Sequence, residues 1–197
     1  MARIFLGVVV GILLVPIVVL GWFWFGSVPV AVGDKPLPQE RSITHIPLHA
    51  RIDREMLKKA PILVDEDDLI AGAHVYREQC STCHGYHSKP SAIGTHMYPS
   101  APPLWEKHGN SDTVGVSDDA PGETYWKVAN GIRLTGMPAY KGVLNDTEIW
   151  QVSLLLANAD KPLPPAVLEL LRGNPTPAIT NAAVSAAVVN TTPGKKK

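Results

Sequence analysis

The sequence predicts a small all-α domain behind a single apolar N-terminal helix. Three observations carry this. No charge interrupts residues 4–26. Leu69, Ala73, Tyr76 and Cys80 recur at spacings of four, three and four, one face of a helix. Two further segments, Glu123–Asn130 and Thr147 to about Asn158, each pair helical periodicity with an end signal, Gly131 after the first and Asn145 or Asp146 before the second. The arrangement predicted along the chain is 1–3 as a cytoplasmic N-terminus, 4–26 as a transmembrane anchor, 27–64 as a Pro-rich spacer, 65–172 as the folded domain and 173–197 as a disordered tail.

At about 1.5 Å per residue, residues 4–26 span roughly 34 Å as a helix, enough for a hydrocarbon core of about 30 Å. Trp22, Phe23, Trp24 and Phe25 crowd its far end, where amphipathic rings favour the interface. Arg3 precedes the run, so the positive-inside bias places the N-terminus in the cytoplasm and the rest outside. The competing reading is a cleaved signal peptide, against which stand the length of the run and a poor cleavage region around Ser27-Val28-Pro29. Both readings export the domain.

The spacer holds Pro29, Pro36, Pro38, Pro47 and Pro61, with one short helix expected around Ala50–Lys59. His45 and His49 within it read as solvated. Asp65 to Asp68 supply an N-cap and acids for a first helical turn, which capping and the helix dipole explain without a catalytic role. Gly72 lies beside the apolar face and would let another helix cross closely. Residues 85–121 are rich in Ser, Pro, Gly and His and read as loop. The last predicted helix turns Ile149, Val152, Leu155 and Leu156 to one side. The tail is too poor in apolar residues to order itself.

The charge is balanced, 18 basic against 18 acidic residues. No basic stripe marks a nucleic-acid surface, and no Gly-rich phosphate loop occurs. The only two cysteines are Cys80 and Cys83, which excludes a disulfide framework. They stand in Cys80-Ser81-Thr82-Cys83-His84. Two thiols one helical turn apart can add to the two vinyl groups on one edge of a porphyrin, and the next histidine then ligates iron from the proximal side. A redox disulfide would expect a strand before the motif, and a structural zinc site would expect a second ligand pair. The reading is one covalent haem c, through Cys80 and Cys83, with His84 as a metal ligand. Because haem c is attached outside the cytoplasm in bacteria, this agrees with export of the domain.

A sixth ligand is sought among Met1, Met56, Met97 and Met137. Met1 lies in the wrong compartment and Met56 in the spacer. Met97 follows the motif through a loop expected to run along the proximal side. Met137, between Gly136 and Pro138 just past a helix, is the assigned distal ligand; His87, His96 and His108 are the alternatives. The Pro102 carbonyl is expected to hold the second nitrogen of His84, and Leu104 to pack on the haem.

Residues from about 65 to 160 resemble a bacterial class I monohaem cytochrome c. The resemblance rests on Gly72-x-x-x-Tyr76 before Cys80–His84, on Pro102-x-Leu104, on Asn130-Gly-Ile-Arg-Leu-Thr-Gly-Met137-Pro-Ala139 and on Leu144-Asn-Asp-Thr-Glu-Ile-Trp150. It implies three to five helices wrapped on the haem, the first and last crossing at right angles at Gly72, and His84/Met137 ligation. Where such proteins often carry an aromatic residue in the last helix, this chain reads Leu154-Leu155-Leu156, so the crossing is expected to rely on Trp150 and leucines. The expected function is one-electron relay at the outer, periplasmic face of the inner membrane. The expected partners are redox proteins in or at the membrane, a respiratory complex or a dehydrogenase. The chain is read as a carrier or subunit and not itself an enzyme. Two rivals remain: a haem enzyme or gas-binding protein with an open or labile sixth site, and an assembly subunit whose haem is structural.

Overall fold

The computed structural model describes residues 1–87, 89–109 and 111–173. From residue 174 the expected tail lies outside the described residues. The chain falls into two compact units, Met1–Arg51 and Ile52 onward.

In the first unit, α1 runs over Ala2–Phe25 without a buried residue. Its mean hydropathy reaches 3.0 over the most apolar window, long and apolar enough to cross a membrane. Asp34 Oδ2 then accepts the Val30 and Ala31 amides, both at 2.9 Å, and these bonds hold its carboxyl below the usual range. α2 covers Glu40–Glu55 and passes through Pro47. This corrects the short helix expected around Ala50–Lys59. The prolines suggested extended chain, but a proline removes only one intrahelical bond, to the carbonyl of residue 43. That turn is solvent-exposed at Ile43, so water can take the freed carbonyl.

The second unit starts ahead of Asp65. Ile52 is 1% exposed, Trp126 Nε1 donates to Glu55 Oε2 at 2.9 Å, and a Cβ on Gly122 would fall 1.9 Å from Leu57 O. After Ile52 come α3 (Glu66–Val75), a π-helical turn (Tyr76–Cys80), α4 (Ser81–His84), a 3₁₀ turn (Gly94–His96), α5 (Pro121–Asn130), α6 (Asp146–Leu156) and α7 (Pro165–Leu171). Among the described residues there are isolated β-bridges and no strand. The all-α fold predicted by the sequence is the fold observed.

The starts of α3 and α6 are each fixed by a side-chain cap. Asp65 accepts the Asp68 amide at 2.8 Å. Asn145 and Glu148 form a reciprocal capping box on α6. α3 meets α6 at Gly72, where a Cβ would stand 2.4 Å from Gln151 O and 3.2 Å from Leu155 Cβ. Leucine therefore supplies the side-chain contact at this crossing. Trp150 is used elsewhere, stacked on Tyr125 of α5 at 4.3 Å. The sequence does not announce α7, which begins on consecutive prolines. Its Val167 and Leu171 are fully buried, and Leu171 O accepts the His87 amide at 3.0 Å. It closes the core beside the loop that follows His84.

Candidate haem site

The π-helical turn Tyr76–Cys80 interrupts the helix just ahead of the Cys-x-x-Cys-His segment. A π-turn inserts one extra residue per turn and so rotates the following side chains relative to an α-helix. Ser81 Oγ bonds back to Arg77 O at 2.7 Å, and α4 then stops at Gly85, φ +79. Only glycine is comfortable there, and a Cβ would also meet Lys89 O at 2.7 Å. Tyr76 is fully buried and donates to Gly85 O at 2.7 Å, so one hydroxyl spans the whole motif from start to end. Burial pushes that hydroxyl far up, with Cys80 adding to the effect.

Cys80 and Cys83 are both partly buried. Burial, and then the neighbouring Cys83, raises the Cys80 thiol to about 12. His84 Nδ1 lies 2.8 Å from Pro102 O. Burial lowers the His84 pKa and the bond to Pro102 opposes it, which leaves the neutral ring favoured near neutral pH. With Nδ1 donating to the carbonyl, Nε2 is left as the basic nitrogen.

The Met137 segment is built on the end of α5. Gly131 follows at φ +66, and a Cβ on it would lie 2.7 Å from Ala139 N and 2.9 Å from Met137 O. The Ile132 amide donates to Met137 O at 3.3 Å, Thr135 N to Ile132 O at 3.2 Å, and Met137 N to Thr135 Oγ1 at 3.0 Å. Leu134 sits at φ +64 in this turn, uncommon for a side-chain-bearing residue. Tyr140 N and Lys141 N return to Val128 O and Ala129 O at 3.0 and 3.1 Å. The Tyr140 hydroxyl then reaches Gln79 O at 2.8 Å. Cys80, Met137 and Tyr140, all partly buried, pack against one apolar core that includes buried Leu104 and Trp105.

The structure thus brings Cys80, Leu104 and Met137 onto one core and joins His84 to Pro102. The other candidate ligands have different surroundings. His108 Nε2 lies 2.6 Å from Gly115 O, His96 Nδ1 2.8 Å from Ala92 O, and the His87 ring sits 6.2 Å from Trp105. His45 and His49 lie on α2 with ring centroids 5.7 Å apart. Sequence reasoning missed Tyr140 and Trp105. Tyr140, three residues past Met137, was visible as an aromatic beside the Gly-Met-Pro turn, but its partner carbonyl on Gln79 was not.

The donor set fits a haem. Two thiols, a neutral imidazole and a thioether are the attachment and ligation groups that iron porphyrin uses. One orphaned donor fits as well. Trp105 meets Tyr76 edge-on at 5.4 Å, and its buried Nε1 hydrogen has the Tyr76 hydroxyl nearby but no acceptor at full hydrogen-bond geometry among the described residues. A carboxylate-bearing cofactor against this core is the kind of group that satisfies it.

An all-α domain built around Cys-x-x-Cys-His defines a cytochrome c domain. Residues 67–154 match the family described as Cytochrome C oxidase, cbb3-type, subunit III. The match indicates that this segment is a cytochrome c domain, consistent with the class I monohaem kind, and the cofactor such a domain implies is haem c. No curated protein matches the chain.

Proposed function

We propose that the chain is a membrane-anchored electron-transfer protein that carries one haem c, attached through Cys80 and Cys83 and ligated by His84 and Met137. The observation that carries this reading is the pairing of the two sides of the site. His84 is held by Pro102, while the Met137 turn is pinned to α5 and, through Tyr140, to the carbonyl beside Cys80. Bound haem supplies a one-electron couple at iron. Donation from Nδ1 to the Pro102 carbonyl fixes the ring and directs the Nε2 lone pair outward. The Met137 thioether is soft and neutral, so it favours the ferrous state and a positive potential. Leu104 keeps water from that surface.

α1 serves in this reading as an uncleaved anchor, with Arg3 on the cytoplasmic side and the haem domain on the periplasmic face of the inner membrane. Tethering raises the domain's effective concentration for integral redox partners. The family name points to a membrane oxidase, and we take the partners to be a respiratory complex of that kind or a dehydrogenase, with the chain as carrier or subunit.

The ferric protein tests the ligation directly. Methionine on iron gives a weak far-red charge-transfer band, which should be present in the native protein and absent in Met137→Ala. If the band is missing and the ferrous protein binds carbon monoxide rapidly, the sixth site is open and the chain is a gas-binding protein or enzyme instead. Haem that stays with the denatured chain, and is lost when Cys80 and Cys83 become serine, tests attachment. Co-purification from native membranes in mild detergent identifies the partner. Failure of every respiratory donor to reduce the haem would leave it a structural role.

A further inference from the structure

The segment from Lys89 to Ala101 follows His84 and has no part in the ligation just described. It is fastened first to the turn that carries the cysteines. Ser91 Oγ donates to Thr82 O and accepts the Gly94 amide at 3.0 Å. The 3₁₀ turn Gly94–His96 lies so close to that turn that a Cβ on Gly94 would fall 2.1 Å from Cys83 O. The Ala101 amide closes the segment on Gly94 O at 3.0 Å.

Met97 leaves this turn in extended conformation, φ −91 and ψ 158. Its side chain reaches the turn that carries Met137. Met97 Cε lies 1.9 Å from where a Cβ on Gly136 would stand, and its Sδ lies 3.7 Å from the same point. Apart from the chain neighbours of Gly136, no other described atom comes within 4 Å of it. Gly136 directly precedes Met137. A single loop therefore grips Cys83 at one end and the backbone of the Met137 turn at the other.

We propose that Met97 is a positioning residue for Met137, a strut that keeps the distal turn closed. The proposal rests on Met137 as the sixth ligand. The Met137 turn is bonded mostly to itself and to the end of α5, and among the described residues outside its chain neighbours only Met97 meets Gly136. An unbranched thioether fills such an irregular gap well. Glycine at 136 is what lets the methyl reach the backbone. With haem bound, a turn free to swing away would release the Met137 thioether more readily, and Met97 bears on the residue beside it.

The test uses the full-length holoprotein with Met97→Ala, Met97→Leu and Gly136→Ala, and the Met97→Ala/Gly136→Ala pair. Met97→Ala should speed carbon monoxide binding to the ferrous protein by at least about threefold and lower the pH at which the ferric far-red band is lost. Met97→Leu, of similar volume, should stay close to the native values. Gly136→Ala pushes the flexible Met97 methyl aside and should reproduce part of the Met97→Ala effect, while adding little further in a chain that already carries Met97→Ala. Native-like rates and band in Met97→Ala overturn the proposal, as does simple additivity of the pair. Amide exchange at Ile132, Met137 and Tyr140 is followed in parallel. If the native protein lacks the band, the Met137 ligation reading fails. Faster exchange at these amides in Met97→Ala would then still support the strut, and unchanged exchange would overturn it.

Discussion

The Tyr140 hydroxyl donates to the Gln79 carbonyl at 2.8 Å and so ties the Met137 turn to the residue just before Cys80. It is a bond between the two sides of the site that does not pass through the cofactor. Tyr140→Phe removes the donor and leaves the ring in place. Unfolding of the holoprotein by denaturant should show a loss of about 1 kcal/mol, with the far-red band lost at a lower denaturant concentration than in the native protein. An unchanged midpoint would mean that water replaces the hydroxyl at no cost.

Gly131 should tolerate no side chain. Alanine there has an unfavourable φ of +66, and its methyl would press on the carbonyl of Met137 itself. Strain of this kind costs of the order of 1–3 kcal/mol, and it falls on the ligand loop. Gly131→Ala should therefore weaken the far-red band and speed carbon monoxide binding more than it lowers the global unfolding midpoint. Leu134, also at positive φ, should accept glycine with little loss.

Stability should fall at alkaline pH for a reason lodged in Tyr76. Burial raises its pKa in the folded chain. Above the unfolded value of about 10 the unfolded chain releases this proton while the folded chain keeps it, so stability declines as pH rises from there. Below that pH both states keep the proton, and Tyr76 makes stability neither rise nor fall with pH. Tyr76→Phe starts lower, because Gly85 O loses its donor, but its stability should decline less between about pH 10 and 11.5. Denaturant midpoints across that range check it, and parallel slopes for the two proteins would refute it.

The folded unit should also depend on residues ahead of Asp65. A chain that begins at Asp65 forfeits the burial of Ile52, worth about 1.5–3 kcal/mol, and the bond from Trp126 to Glu55. It should melt well below one that begins at Leu48. Equal melting temperatures would show that this segment is dispensable.

The sequence by itself determined what depends on neighbours along the chain. The apolar run of α1 is a matter of composition. The caps at Asp65 and Asn145 act within three residues. Cys80, Cys83 and His84 share one helical turn, and Gly131 stands where positive-φ backbone ends a helix. Those local facts were enough for an all-α cytochrome c domain. Only the tertiary structure decided which distant groups meet. The Tyr140 hydroxyl found a carbonyl from the π-turn, Met97 crossed from the Cys83 loop to Gly136, and Leu155 rather than Trp150 settled against Gly72. It also decided that Pro47 lies inside α2 and that the folded unit begins at Ile52. Such contacts join residues far apart in the chain, and each depends on close packing and on hydrogen-bond partners supplied by the backbone. A carbonyl looks the same in every residue, and the Pro-rich pattern that singled out Pro102 for His84 had no counterpart marking Gln79 for Tyr140.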